Sequence, residues 1–423
     1  MMRRLQVVIL GTVLAVAALA SGSTALTFLF YLLLFVLGGS WLVCRLSLRG
    51  LEAGFALDRQ TAQVGETMTV SYTVRDRSHL PKLWLDVHNP VAMSVRIPGH
   101  ALSLRGGQQR SWSVQVPLTR RGHHRIDPMV IRTGDPLGLF EAYATVGPGT
   151  TLVVTPRVEK LPLLQLPAAM VEGTSALPER SIQTTPLVGG VRPYVPTDGF
   201  NRIHWRSSAR HGELQVKEFE VQHTANLWIF LDLDRSVHVG LDDGATVETA
   251  VRVAAALAGR ALDVGRAVGI EAHGIRRAVL PADRGIRQRH KLLHLLAAVG
   301  PDGVTPLREV LVDGLGRLQR GMTAVVVTPS LDTDWIRPLT GLRRRGVASL
   351  ACLVDPLAHD RQTRLVTALP ALAPEGTEVW ARDVRTIQHA LAEQDIPVLV
   401  IDPIQPLATQ MALPGGRAGA RVA

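Results

Sequence analysis

The first 44 residues are overwhelmingly apolar, and no other feature constrains the fold of this 423-residue chain as strongly. Residues 25–44 contain no charged side chain, and residues 5–20 contain only two polar ones. A helix needs about twenty apolar residues to cross a bilayer, so the second segment qualifies and the first is near the lower limit. The sequence therefore predicts two transmembrane helices within residues 1–49, in a hairpin that turns at the small polar residues 21–24.

Positive charges flank both outer ends of this hairpin. Arg3 and Arg4 precede it, and Arg45 and Arg49 follow it. Because Lys and Arg concentrate on the cytoplasmic side of membrane helices, the pattern predicts a two-pass protein of the inner, cytoplasmic membrane with its soluble domains in the cytoplasm. The alternative is a signal peptide cleaved after Ala20. Cleavage there would leave a second spanning segment directly behind the new terminus.

Residues 50–157 alternate apolar and polar side chains, and turn formers recur about every ten positions. Met68, Val70, Tyr72 and Val74, for example, are separated by Thr and Ser. A period of two is typical of strands with one buried face. The region is predicted to be an all-β, sandwich-like domain, and residues 158–188, which lack clear periodicity, are predicted to form a linker.

Residues 189–410 alternate short apolar runs with longer amphipathic segments. The predicted strands are 226–233, 267–273, 323–328, 347–354 and 397–401, and the predicted helices are 246–267, 288–299, 307–320, 335–345 and 384–394. Such alternation indicates a mainly parallel sheet with helices on both faces. The sequence therefore predicts a Rossmann-type α/β domain, followed by a flexible tail at residues 411–423.

A segment dense in charged and aromatic side chains precedes the first of these strands. It reads Gly-Val-Arg-Pro-Tyr-Val-Pro-Thr-Asp at residues 190–198 and continues from Arg-Ile-His-Trp at 202–205 to Lys-Glu-Phe-Glu at 217–220. In one interpretation, ion pairs hold this segment on the sheet while its aromatic residues Tyr194, Trp205 and Phe219 are buried. In a second, the segment docks a protein partner. The candidate partner-binding residues are Arg192, Tyr194, Asp198, Arg202, His204, Trp205, Lys217 and Glu220.

A third interpretation of the same segment is catalytic. Asp198, His204 and Lys217 are residue types that serve as acid, base and electrostatic partner in a hydrolase or transferase. Ser207 and Ser208 lie nearby, but no Gly-x-Ser-x-Gly elbow surrounds them. The chain also has no P-loop and no dinucleotide-binding Gly-x-Gly-x-x-Gly after a strand. The sequence therefore favours a protein that is not an enzyme.

The segment resembles the signature of the domain of unknown function 58 family. The β region resembles the family more loosely, at Arg121-Gly122 and at residues 135–138, where Leu137 replaces the usual Phe. The resemblance implies a bacterial, membrane-anchored protein with a von Willebrand factor A-like α/β domain. Such proteins are often encoded beside MoxR-type AAA ATPases and transglutaminase-like membrane proteins. It therefore implies a non-enzymatic adaptor that binds an ATPase of this type.

The first predicted strand ends at Asp232, and open parallel sheets bind ligands at the carboxyl ends of their strands. The spacing Asp232-x-Asp234-x-Ser236 resembles the Asp-x-Ser-x-Ser motif with which von Willebrand factor A domains hold Mg²⁺, and Thr305 resembles the Thr ligand of that site. Hard divalent cations take several oxygen ligands, which makes Mg²⁺ the candidate cofactor here. A further Asp of that motif is replaced by Pro329. The alternative is a vestigial site in which Asp232 caps the following loop.

The formal net charge of +10 is carried mainly by scattered Arg residues. It includes no basic run with interleaved aromatic residues, which argues against a nucleic-acid partner. For a protein held at a membrane, the anionic inner leaflet is the simpler partner for this charge. The lipid bilayer and a protein are therefore the predicted partners.

Overall fold

The computed structural model describes residues 2–90, 97–135, 137–161, 164, 188–195, 200, 203–219, 226–240, 245–355, 374–403 and 405–411. The chain divides into two compact units. The first contains residues 1–157 together with 293–298, and the second contains residues 158–292 and 299–423.

Two apolar helices begin the first unit, α1 (Met2–Ser21) and α2 (Thr24–Ser47). They contact each other, and Gly22 allows the tight connection between them because its φ of 62° is unfavourable for other residues. Within the described part of the chain, α2 is the helix long and apolar enough to cross a membrane. The apolar part of α1, Ile9–Ser21, is shorter. An N-terminal apolar helix of spanning length is thus confirmed.

Strands follow α2 throughout the region in which the period-two pattern predicts them. They are β1 (Leu51–Leu57), β2 (Thr61–Gln63), β3 (Thr67–Asp76), β4 (Lys82–His88), β5 (His100–Leu104), β6 (Gln109–Pro117), β7 (Gly122–Ile126), β8 (Met129–Gly134), β9 (Glu141–Val146) and β10 (Thr150–Thr155). They form three sheets with the orders β1-β3-β6, β2-β10-β7 and β5-β4-β8-β9. Neighbouring strands are antiparallel except β2 and β10.

The alternating residues of these strands meet in one apolar core. Met68, Val70 and Val74 of β3 are buried there with residues of the other two sheets, as their spacing predicts. Tyr72 lies in the same core, and its hydroxyl donates a 2.6 Å hydrogen bond to Asn89. Burial raises the pKa of Tyr72 to about 12. The hydrogen bond matters because an unpaired buried hydroxyl would cost stability.

The second unit begins with a small hairpin followed by a larger sheet. The hairpin consists of β11 (Val188–Pro193), the short helix α3 (Trp205–His211) and β12 (Gln215–Phe219). The six strands of the larger sheet are β13 (Leu227–Leu231), β14 (Val268–His273), β15 (Arg277–Asp283), β16 (Thr323–Thr328), β17 (Ala348–Val354) and β18 (Val398–Ile401). The helices around them are α4 (Thr246–Asp263), α5 (Gly285–Ala298), α6 (Leu307–Gly314), α7 (Ile336–Arg344), α8 (Pro374–Glu393) and α9 (Leu407–Gln410).

The large sheet has the strand order β15-β14-β13-β16-β17-β18. All neighbouring strands in it are parallel except β14 and β15. The prediction of a mainly parallel sheet is confirmed. The buried pattern of β13 and β16 is continuous rather than alternating, as expected for strands that are covered on both faces.

The two faces of the sheet carry different helices. Trp228 and Phe230 of β13 belong to an apolar cluster with residues of α6, α7 and α8. The helix α4 contacts β13, β14, β16 and β17, and it is buried along most of its length. Because successive side chains of a strand point to opposite faces, each central strand supplies apolar residues to both layers.

Several elements differ from the sequence-based expectations. The helix expected at 384–394 is α8, which already begins at Pro374. The strand β15 was not predicted, because Arg277–Asp283 contains charged ends and a proline and is only partly buried. The α-helix expected at 307–320 ends at Gly314 and is followed by a 3₁₀ turn, Leu315–Arg317. The start of the expected linker packs on the second unit, where Glu159 forms a 3.0 Å ion pair with Arg252 of α4.

Candidate functional site

The centre of the large sheet contains a topological switch point. Strand β13 lies between β14 and β16. The chain first adds β14 on one side of β13 and later adds β16 on its other side. In open α/β sheets of this order, ligands bind in the crevice beyond the carboxyl ends of these central strands. Asp232 follows β13 directly, and Thr328 is the last residue of β16.

Asp232 is almost completely buried, with 1% of its surface exposed. One carboxylate oxygen accepts a 2.6 Å hydrogen bond from the Thr328 hydroxyl, and the other accepts a 3.1 Å bond from the Asp234 amide. Burial raises the pKa of Asp232 to about 6; these hydrogen bonds oppose the shift, and the negative charge of Asp234 adds to it. The carboxyl group therefore changes protonation state near neutral pH.

The neighbouring predicted ligands Asp234 and Ser236 form hydrogen bonds with each other. One Asp234 oxygen accepts hydrogen bonds from the amide and the hydroxyl of Ser236, at 3.0 and 2.9 Å. Asp234 also forms an isolated parallel bridge with Gly303, which brings the loop containing Thr305 beside this segment. A Cβ atom at Gly303 would lie 2.4 Å from the His273 carbonyl oxygen. Only glycine fits this close approach of backbone segments.

The donor atoms here are oxygens, the kind that Mg²⁺ prefers. However, both Asp232 oxygens and one Asp234 oxygen already accept hydrogen bonds within the chain. Among the described residues, no group of three acidic, His or Cys side chains is arranged to hold an ion. A cation would therefore share these oxygens with internal hydrogen bonds, and Mg²⁺ binding stays a prediction.

The second candidate site is the hairpin that carries the signature. Strands β11 and β12 are antiparallel, with Val191 opposite Lys217 and Arg192 opposite Val216. His204 is the N-cap of α3, and its Nδ1 atom accepts a 3.1 Å hydrogen bond from the Ser207 amide. The Ser207 hydroxyl also lies 2.8 Å from Nδ1. The imidazole of His204 therefore performs a capping role normally taken by Ser, Thr, Asp or Asn.

The hairpin also has a small buried side. Ser208 donates to the His204 carbonyl oxygen and accepts a 2.8 Å hydrogen bond from the Gln215 amide. Ile203 and Val216 are buried and pair as an isolated bridge. Helix α3 ends at Gly212, whose φ of 74° places it in the left-handed conformation common at helix ends. These contacts hold β11, α3 and β12 together.

A group of apolar side chains on this hairpin is exposed. Phe200 is 73% exposed and Trp205 is 66% exposed. The Tyr194 ring lies 6.1 Å from the Phe200 ring, and the Tyr194 amide donates to the Leu214 carbonyl oxygen. We call six residues the signature surface: the exposed Val191, Val195, Phe200, Trp205 and Leu214, together with the partly buried Tyr194. The exposure of Trp205 shows that the interpretation in which its ring is buried is wrong.

The remaining signature residues carry charged side chains. Asp198, Arg202 and Glu220 lie outside the described residues. Arg192 and Lys217 are placed by their backbones in β11 and β12. Within the described part of the chain, no carboxylate is hydrogen-bonded to His204. The catalytic set Asp198, His204 and Lys217 therefore stays a prediction.

Sequence reasoning missed several residues of these sites, including Val191 and Val195 of the signature surface. Thr328 was treated as part of a strand, although its hydroxyl binds Asp232. Phe200 and Leu214 were not singled out, although both belong to the exposed signature surface. A polar residue that ends a continuous apolar strand was the available signal for Thr328. For Phe200 and Leu214, apolar character alone could not separate exposure from burial.

Comparison with known proteins finds a relative that matches most of this chain. The chain is 26% identical to the uncharacterized protein YeaD of Bacillus subtilis over 331 residues, which cover 75% of this chain and 80% of YeaD. Solved structures give only distant matches. Proximal thread matrix protein 1 from the mussel byssus is 11% identical, with a TM-score of 0.26, over 34% of this chain and 46% of that protein. The CARDB domain of a Pyrococcus furiosus protein is 11% identical, with a TM-score of 0.20, over 25% of this chain and 91% of the domain.

The distant structural matches carry no argument about the fold or the function. The family match is broader: residues 190–402 match the family described as "Protein of unknown function DUF58". The matched region begins in the signature hairpin and includes every strand of the large sheet. The chain belongs to this family.

Proposed function

We propose that this protein is a membrane-anchored, non-enzymatic adaptor that binds a protein partner through the signature surface. The observation that carries the proposal is the exposure of Phe200, which lies beside Tyr194, and of Trp205, which begins α3 in the same hairpin. Contiguous exposed apolar patches mark interaction sites in soluble domains. Trp and Tyr are also enriched among the residues that dominate the energy of protein interfaces.

The proposed partner is an AAA ATPase of the MoxR type, with a transglutaminase-like membrane protein as a further candidate in the same membrane. Both follow from the family resemblance. The α/β unit presents the signature surface on a von Willebrand factor A-like fold. Its strand order, with the antiparallel edge strand β15, supports this fold.

The proposed anchor is a two-pass hairpin of α1 and α2, with the soluble units in the cytoplasm. The length and apolar character of α2 support insertion. Contact between α1 and α2 supports a hairpin. Arg3, Arg4, Arg45 and Arg49 support a cytoplasmic location for both ends, because basic residues favour that side.

Binding of the full-length protein in nanodiscs to a purified MoxR-type ATPase tests the adaptor function. Joint substitution Phe200→Ala and Trp205→Ala should weaken binding at least about thirtyfold, which corresponds to about 2 kcal/mol for an interface centre. Ile286→Ala is the matched control, because Ile286 is 65% exposed in the same unit but lies in α5. Unchanged affinity of the double variant, or failure of the wild type to bind, would contradict the proposal.

A hydrolase or transferase is the second candidate, because the Ser207 hydroxyl lies 2.8 Å from His204 Nδ1. The substitution His204→Asn separates catalysis from capping, since Asn is a good N-cap residue but cannot act as a general base. Any turnover that the wild type shows and His204→Asn loses, with the fold retained, would favour the enzyme. Equal behaviour of the two proteins favours the adaptor.

A further inference from the structure

The last two turns of α2 are attached to the β strands of the first unit. Ser40, Cys44 and Ser47 are buried and lie on one face of the helix. Helix α2 contacts the strands β8 and β9 of the same unit. The contact fixes the direction in which the helix leaves the β strands.

Two polar groups secure this attachment. The Lys82 ammonium is fully buried and donates a 3.0 Å hydrogen bond to the Leu46 carbonyl oxygen near the end of α2. It lies 3.9 Å from the buried Asp76 carboxylate. A cation at the carboxyl end of a helix satisfies a free carbonyl group and interacts favourably with the helix dipole.

Asp135 forms the second attachment. Its carboxylate accepts hydrogen bonds from the amides of Phe140 and Leu137, at 2.6 and 3.0 Å, and the buried Ser40 side chain of α2 lies near enough to help lower its pKa. Burial alone would raise the pKa of Asp135, but these hydrogen bonds hold it below its usual value. The loop after β8 therefore lies beside the helix at Ser40.

Exposed apolar side chains surround these two attachments. Leu80, Leu83 and Trp84 flank Lys82, and Leu137 follows Asp135. Their exposed fractions range from 41% to 61%. The last residue of β8, Gly134, lies against the Trp84 ring, which joins the two groups. We call these four residues the apolar rim.

The length of α2 fixes the depth of the rim. At a rise of 1.5 Å per residue, about 20 residues cross a hydrocarbon layer of about 30 Å. Counted from Thr24, where α2 begins, this layer ends near Val43. Ser40 therefore lies within the last helical turn of this layer, with Asp135 beside it. A helix inserted in this way brings the surrounding rim to the lipid surface.

Other residues near this level match a membrane interface. Trp41 is exposed, and the Arg45 guanidinium lies 5.4 Å from the centre of its ring. Trp and basic side chains are both enriched at the boundary between lipid and water. The charged groups of Lys82 and Asp135 are buried and bonded, so the rim presents apolar surface without their charges.

We propose that the apolar rim of Leu80, Leu83, Trp84 and Leu137 inserts into the headgroup–acyl boundary of the bilayer that α2 enters. The first unit is then seated on the membrane in one orientation rather than suspended from it. This inference rests on the proposed insertion of α2, but it does not depend on the ATPase partner.

Depth-dependent quenching tests the proposal in full-length protein reconstituted in nanodiscs. A fluorophore is attached to Leu137→Cys, and emission is compared with and without a lipid that carries a nitroxide near its headgroup. We expect about twofold quenching, since interfacial side chains lie about 5–10 Å below the surface. Thr145→Cys is the matched control, because Thr145 is exposed near the opposite end of β9. The wild type is the labelling blank, since both of its cysteines are buried.

A third label, at Leu34→Cys in α2, lies near the middle of the hydrocarbon layer and is therefore measured with a lipid that carries its nitroxide in the acyl chain. It separates failure of this inference from failure of the anchor. Quenching at positions 34 and 137 but not at 145 is the expected result. Quenching at 34 alone would overturn the rim proposal while leaving the anchor in place. Equal quenching at 137 and 145, or no quenching at any position, would also overturn it.

Discussion

At the end of β13, the Asp232 carboxylate is buried and bonded to Thr328 and Asp234, whereas on the signature surface Trp205 and Phe200 are largely exposed. Polar groups are thus enclosed at one site and apolar groups are left in solvent at the other. A polar cluster that satisfies its own hydrogen bonds needs no ligand to be stable. An exposed aromatic group gains free energy when a partner covers it. The contrast separates a polar site that is closed within the fold from an apolar site suited to docking.

The largest expected effect that tests this contrast is the loss of backbone packing at Gly303. The substitution Gly303→Ala places a Cβ atom 2.4 Å from the His273 carbonyl oxygen and 2.8 Å from the Leu233 carbonyl oxygen. It should lower the free energy of unfolding by about 3–4 kcal/mol, in the range of severe core changes. Gly300→Ala is the control in the same loop, because no atom lies within 4 Å of its added Cβ. Similar denaturation midpoints for the two variants would contradict the close approach.

The next effect concerns the charge of Asp232. Its pKa is about 6 in the folded chain against 3.8 for the free group, so the folded state holds this proton more tightly. Stability from this group is complete below pH 4, decreases as the pH rises to 6, and stays reduced above 6. Asp232→Asn removes the buried charge and should therefore raise the free energy of unfolding at pH 8 by about 2 kcal/mol. Each unit of pKa corresponds to about 1.4 kcal/mol, and the weaker hydrogen bonding of the amide offsets part of the gain.

Denaturation of the wild type and of Asp232→Asn at pH 4 and pH 8 measures this effect. The gain should be present at pH 8 and absent at pH 4. A pH-independent difference would show that the hydrogen bond to Thr328, rather than the buried charge, determines the contribution of Asp232.

A smaller effect distinguishes a closed polar cluster from a cation site. If Mg²⁺ binds at Asp232, a concentration about ten times its Kd should stabilise the folded wild type by about 1.4 kcal/mol. Asp232→Asn should abolish this stabilisation, because it removes the buried carboxylate. Thermal unfolding at pH 8 with and without Mg²⁺ provides the measurement. No response in the wild type would leave the network of Thr328, Asp234 and Ser236 hydrogen bonds as the complete description of the site.

The smallest effect tests the scaffold of the signature surface. Gly212 ends α3 with a φ of 74°, so Gly212→Ala should cost about 1 kcal/mol in stability. Gly341→Ala in α7 has open space around its added Cβ and should instead stabilise by up to about 1 kcal/mol. Hydrogen exchange at the α3 amides measures local opening in both variants. Loss of protection only in Gly212→Ala would show that this cap holds the hairpin.

Much of the α/β architecture was predictable because burial in a parallel sheet leaves a strong sequence pattern. The runs at 226–233, 323–328 and 347–354 contain β13, β16 and β17. The amphipathic segment at 246–267 contains α4. Strand β15 escaped prediction because an edge strand has one neighbour and can retain charged residues. Its pairing with β14 compensates for a weak local preference.

The candidate sites were predictable in position but not in character. The carboxyl end of the first strand identified Asp232, since ligand sites of such sheets lie there. Spacing could not reveal that Thr328, 96 residues away, occupies one of its oxygens. Likewise, the signature pattern identified Trp205 but not whether its ring is buried.

The sequence by itself determined the apolar helix of spanning length, the strands with period two and the alternation that produces a parallel sheet. These features depend on local side-chain patterns. Whether one face or both faces of an element are buried determines the spacing of apolar residues within that single segment. Tertiary structure alone decided that Lys82 binds the end of α2, that Asp232 is enclosed and that Trp205 remains exposed. Each of these depends on segments far apart in the chain, whose approach sets the burial and the hydrogen-bond partners of a side chain.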